Sequence, residues 1–234
     1  MANALDAFRA RHRGASVAVL GSSPTIGLYR GQEDVTIGVN GSAIALRDGH
    51  RMDYFMCGDR ESPARRWFLA SERFGAIRFV SSHVLPFDPL VIPGAKERQK
   101  LQGQLKAFVG AGNRDWRFRL KSYPIRTKHS FFEYKHPWEQ RVSHRQRMFA
   151  KGGTISGMAV QMALVMGASS IHLYGCSFEP VDGVHYGYDS AGELGQIKFW
   201  QPIGMDFILS QVLRLGVRVF AHGPTSLRMV ERVE

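Results

Sequence analysis

The sequence predicts an α/β fold: a mainly parallel sheet with helices on both faces and a basic, aromatic insertion. Three observations predict it. Short apolar runs rich in Val, Ile and aromatic residues alternate with helix-like stretches. Each run closes on Gly, Asn, Asp or Ser, and the rhythm breaks across 83–150, where basic and aromatic residues mix without a clean period. Runs that are apolar throughout belong to strands buried on both faces, and strands that alternate with helices belong to parallel sheets. The 234 residues suit one such domain, 1–234, with 83–150 as an insertion or lid within it.

Taken in order, MANALDAFRARHRG reads as a short amphipathic surface helix. SVAVLG (16–21), VTIGVN (35–40), MDYFMCGD (52–59) and AIRFVSS (76–82) read as buried strands. Between them, SAIALRDG (42–49) is a short helix ending at glycine. SPARRWFLASERF (62–74) is a longer one, with Ser62 as N-cap and Pro63 at its first position. Within the insertion, 96–108 is expected to be helical. After it, Thr154 caps a helix that is apolar nearly all round and ends at Gly167. IHLYGCSF (171–178) is a strand, 199–216 a helix interrupted or started near Pro202, and VRVFAHG (217–223) the last strand. The whole is Rossmann-like.

Composition narrows the function classes. No apolar run approaches the roughly 20 residues that span a bilayer. The amino-terminal stretch lacks the apolar centre of a secretory signal. Two cysteines, Cys57 and Cys176, make no disulfide framework, and a cytoplasmic location is expected. The net charge of +11 implies an anionic partner, and the charge is local: 114–151 holds eleven Lys or Arg against three acids. That stretch interleaves Arg141, Arg145 and Arg147 with Trp116, Tyr123, Trp138 and other rings. Such a mixture covers an anionic substrate, meets a membrane surface or anionic glycan at the inner membrane face, binds single-stranded nucleic acid, or forms a solvated flap.

In open parallel sheets ligands gather beyond the carboxyl ends of the strands. Here those ends are small and polar: Gly21-Ser22-Ser23, Asn40-Gly41, Asp59 and Gly175-Cys176-Ser177. GSSPT after the first strand and GGTISG (152–157) at a helix start both present amides and hydroxyls to a phosphate or ribose. The same residues also serve as ordinary caps and turns. Neither stretch is a Walker A loop or a GxGxxG turn. The chain has no CxxC, HExxH or Asp-x-Asp, so no metal and no cofactor are expected, and Asp59 stands alone as a ribose or metal ligand. VDGVHYGYD (181–189) places His185, Tyr186, Tyr188, Asp182 and Asp189 directly after a strand end. There a histidine takes a proton from a hydroxyl and a tyrosine bonds a departing phosphate.

In this order the pieces resemble the bacterial sialyltransferases of glycosyltransferase family 42. GSSPT is similar to their G-x-G-P-S turn, VNGSA to the Asn-containing end of their second strand, and GTISGMAVQMALVMGASSIHLYGCSF to their R-I-T-S-G helix and following strand. HYGYD is similar to their S-Y-A-F-D loop and VRVFAHGPTSL to their closing strand. MDYFMCGDR resembles a stretch of the related 6-hydroxymethylpterin diphosphokinase-like proteins instead. The likeness covers 15–82 and 150–228.

The resemblance implies a metal-independent glycosyltransferase taking a sialic-acid-like sugar from a CMP-linked donor to a surface glycan, as in lipopolysaccharide or capsule synthesis. It implies nucleotide contacts from Gly21, Ser22, Ser23, Asn40, Gly41, Asp59, Thr154, Ser156 and Gly157, and leaving-phosphate support from Tyr186. The family's second tyrosine is replaced by Glu179. Its catalytic histidine has no counterpart between His185 and His222, so the base is either missing or moved, with His185 as the substitute. A magnesium–ATP diphosphokinase and a non-catalytic nucleotide or nucleic-acid binding protein are the alternatives.

Overall fold

The apolar runs form the strands of one eight-stranded sheet in which every neighbouring pair is parallel. The computed structural model describes residues 4–58, 66–81, 129–132, 134–135, 141–146, 149–150, 154–188 and 199–233. In chain order the elements are β1 Ser16–Leu20, β2 Val35–Val39, α1 Ser42–Ala45, β3 Tyr54–Cys57, α2 Arg66–Ala70, β4 Ile77–Ser81, β5 His129–Phe132, β6 Tyr134–Lys135 and β7 Phe149–Ala150. They continue with α3 Ile155–Met166, β8 Ser170–Tyr174, α4 Trp200–Arg214, β9 Arg218–His222 and β10 Glu231–Val233. Short 3-10 turns occupy Ala4–Phe8, Pro24–Leu28 and Ser71–Phe74. The sheet order is β10-β9-β8-β1-β2-β3-β4-β5, and β6 pairs with β7 separately.

Strand side chains alternate between faces. Val17, Val19, Ile171 and Leu173 meet α3, α4 and the amino-terminal turn in the larger core. Ala18, Leu20, Phe55 and Tyr174 meet Ile26, Ala43, Trp67 and Phe68 on the opposite face. Both faces of the central strands are therefore covered, and the observed architecture is the Rossmann-like α/β fold.

The helix after Thr154 follows its sequence signals. Thr154 Oγ1 accepts the Gly157 N–H at 3.0 Å, and Gly167, at φ 87°, ends the helix in the left-handed region. Eleven of its twelve residues are buried, Gln161 among them. Gln161 Oε1 accepts the Ala150 N–H at 2.8 Å and its Nε2 donates to the Ala150 carbonyl at 2.7 Å, which ties β7 to α3.

Several expectations are corrected. The amino terminus is a 3-10 turn, not an α-helix, and only one side of it is exposed, at Asp6 and Ala7: Leu5 and Phe8 are buried, and Phe8 packs edge-on to Tyr54 and Phe79. These apolar side chains close the larger core beside α3, and the N–H groups of Ala10, His12 and Gly14 donate to the carbonyls of Val165, Met166 and Gly167. The run 217–223 is not the last strand. β10 follows, fully exposed, so no apolar pattern marks it; backbone pairing to β9 and the Arg218–Glu231 ion pair at 2.6 Å hold it. β8 stops at Tyr174, where Gly175 turns at φ 67°. α4 runs unbroken from Trp200, with Pro202 harmless in its first turn.

Within 83–150, β5 joins the sheet edge, and Val142, Phe149 and Ala150 are buried in the larger core. The helix expected over 96–108, the cap at Ser62 and most of the basic run 114–151 lie outside the described residues. Among the described residues, no helix is long and apolar enough to cross a membrane.

Candidate functional site

From β1 the sheet grows one way through β2, β3 and β4, and after α3 it grows the other way through β8, β9 and β10. The segments leaving β1 and β8 depart to opposite faces: Ile26 and Tyr29 pack with the smaller cluster, Met205 and Ile208 of α4 with the larger. This is the topological switch point, where parallel sheets bind ligands.

The turns that meet there are held tightly. The Gly21 N–H donates to the Tyr174 carbonyl at 2.7 Å, and the Ser23 N–H to the Gly175 carbonyl at 3.0 Å. A Cβ on Gly21 would overlap the Gly175 carbonyl, so glycine is required by the approach of one backbone to the other. Ser23 is buried; its hydroxyl bonds the Thr25 hydroxyl at 3.1 Å and accepts the Ser177 N–H at 3.4 Å. Gly21 and Ser23 thus have structural duties, and half-buried Ser22 is the hydroxyl nearer solvent.

Val181 and Val184 exchange two 2.9 Å backbone hydrogen bonds around Asp182 and Gly183, whose φ values of 51° and 77° mark a type I′ hairpin. The chain then crosses the strand ends. The Gly187 N–H donates to the Ser22 carbonyl at 2.8 Å, and the Tyr188 ring lies where a Cβ on Gly41 would stand. Tyr186 lies beside Tyr188, ring centroids 5.5 Å apart. The structure thus brings this loop to the ends of β1 and β2.

Three buried polar atoms here have no protein partner: Asn40 Oδ1, Ser42 Oγ and His185 Nδ1. Asn40 and Ser42 flank the glycine that Tyr188 covers, and Asn40 is held at φ 45°. Buried polar atoms are nearly always hydrogen-bonded, so Asn40 Oδ1, beside the glycine that Tyr188 covers, marks a place for a polar ligand, whereas Ser42 Oγ stands beside Gly38 and Met52 of the smaller core.

At the third turn, Thr154 is occupied as the α3 cap, and Gly157 admits the Ile208 methyl of α4. Burial pushes the Cys176 thiol, in the turn after β8, up to about 11, against a smaller opposing effect of the Ser156 hydroxyl. Asp59 and Asp189 lie outside the described residues.

Sequence reasoning passed over one further cluster. Glu33, His172 and His222 each place a ligand atom within 4.8 Å of the others. Burial lowers the His172 imidazole, and burial together with His172 pushes His222 down to about 4. The three come from the β1–β2 connection and two separate strands, so no short spacing signals them.

Fold and site together define a class: a Rossmann-like α/β protein whose switch point lies beside a tyrosine-bearing loop. No protein-family model and no curated protein matches the chain. Among solved structures, it is similar to the sialyltransferase CstII from Campylobacter jejuni, described in complex with a substrate analogue, cytidine-5'-monophosphate. The TM-score is 0.43 at 12% identity, over 89% of this chain and 80% of that one.

Proposed function

We propose that this protein binds a CMP-linked sugar at the switch point and transfers the sugar to a glycan hydroxyl. The observation that supports this best is Asn40 Oδ1, buried without a partner beside the glycine that Tyr188 covers, with His185 Nδ1 also unpartnered on the loop that carries Tyr186 and Tyr188. In the proposed reaction the acceptor oxygen attacks the anomeric carbon and gives its proton to His185. The anomeric carbon–phosphate oxygen bond breaks, and its electron pair leaves with CMP. Tyr186 and nearby backbone amides stabilise the phosphate charge as it develops. Asn40 holds the nucleotide, and no metal has a role in the step.

The test is CMP release from a CMP-sugar, with and without a glycan acceptor. His185→Ala is expected to lower kcat about 10²–10⁴-fold and Tyr186→Phe about 10²–10³-fold. Release unchanged in both variants would refute the assignment. Turnover of ATP with magnesium, and none of CMP-sugars, would move the protein to the diphosphokinase class.

A further inference from the structure

We propose that Glu33, His172 and His222 form a binding site for a divalent first-row transition metal of the zinc type, separate from the residues of the switch-point crevice. By strand alternation His172, two residues before Tyr174, lies on the same sheet face as Ala18, Leu20 and Tyr174. His222 follows on β9, its ring stacked on Tyr174 with centroids 4.0 Å apart. Glu33 reaches this face from the connection that leads into β2.

The two distances from His172 suit one small ion. His172 Nδ1 lies 3.1 Å from His222 Nε2 and 3.6 Å from Glu33 Oε1. Ligand atoms about 2.0–2.1 Å from a tetrahedral zinc stand roughly 3.3 Å apart. Two imidazoles and a carboxylate are a zinc donor set that leaves a fourth position for water.

The surroundings orient His172 and Glu33 as metal sites require. Ser170 Oγ lies 3.2 Å from His172 Nε2, the ring nitrogen directed away from the cluster. The Tyr174 hydroxyl donates to Glu33 Oε1 at 2.7 Å and itself accepts from Gln32 Nε2 at 3.0 Å. That leaves Glu33 Oε2, buried with no partner, on a side chain only 2% exposed. A carboxylate oxygen in that position is costly unless a cation meets it. His172 is 21% exposed, which gives an ion a way in.

The experiment strips the full-length protein with a chelator, then titrates zinc against a chromophoric indicator of about micromolar affinity, with magnesium as a parallel arm. Cobalt(II) serves as the spectroscopic probe. The expected result is one equivalent of zinc held against the indicator, no competition by magnesium, and a cobalt spectrum of low coordination number. His172→Gln, His222→Gln and Glu33→Gln should each abolish the strong site. Tyr174→Phe, which keeps the ring and removes only the hydroxyl, should weaken it about 10–100-fold. His50→Gln and Tyr186→Phe should leave it intact. Zinc no tighter than the indicator, an octahedral aqua-like cobalt spectrum, or undiminished affinity in folded His222→Gln would each overturn the proposal. Failure here would leave the switch-point reading untouched, because the two sites share no residue.

Discussion

Replacing Gly21 by alanine probes the junction on which the crevice rests. The added Cβ would overlap the Gly175 carbonyl, backbone that no side-chain rotation can move aside, and would also crowd the Cys176 sulfur. The turns after β1 and β8 must then part. Parting them strains the Gly21–Tyr174 and Ser23–Gly175 backbone bonds, at 2.7 and 3.0 Å. Losing two such bonds costs about 1–3 kcal/mol together, and overpacking a filled site costs typically about 1–3 kcal/mol more. Gly21→Ala is therefore expected to lose roughly 2–6 kcal/mol in urea unfolding, with nucleotide affinity reduced in whatever remains folded. Gly27→Ala is the internal control: nothing lies within 4 Å of its Cβ position, and its stability should stay within about 0.5 kcal/mol of the parent. A Gly21→Ala protein within 1 kcal/mol of the parent (roughly the error of the comparison) would refute the close-contact argument.

Other consequences can be checked in parallel. Gln161→Leu strips both buried backbone groups of Ala150 of their partners, and a loss of about 2–5 kcal/mol is expected in denaturant unfolding. Thr154→Ala removes the α3 cap and should cost about 1 kcal/mol by the same assay. Raised thiol and phenol groups make the fold alkali-sensitive. Cys176 ionises near 9 when unfolded and near about 11 when folded, so the unfolded chain loses its proton first. Stability is full below pH 9 and falls above it by up to about 1.4 kcal/mol per pH unit for this group. Tyr54, also raised by burial, adds to the slope above pH 10. Cys176→Ala should flatten the onset, and native protein at pH 8 should react with iodoacetamide far more slowly than unfolded protein.

The central strands were legible because burial on both faces leaves near-continuous apolar runs; Val17 to Leu20 are fully buried. The α3 limits were legible because Thr154 and Gly167 have mechanisms that act within a few residues. β10 was not, since Glu231-Arg232-Val233 is exposed and held by pairing to a distant strand. The amino terminus misled because Leu5 and Phe8 find their apolar partners in β3, β4 and α3, not in their own segment. At the site, glycines and hydroxyls correctly marked the strand ends but not their duties. Gly21 answers to Gly175 and Ser23 to Ser177, both contacts across the fold. The unpartnered atoms of Asn40, Ser42 and His185 are likewise a property of the assembled structure.

The most direct test of the account is calorimetric titration of the purified protein with CMP, CDP, ADP and ATP, each in magnesium and in EDTA, repeated on Asn40→Ala. The account predicts selective CMP binding, the same in magnesium and EDTA, and weakened at least tenfold in the variant, which corresponds to about 1.4 kcal/mol or more. Magnesium-dependent ATP binding with no response to CMP, or CMP binding unchanged in Asn40→Ala, would contradict it.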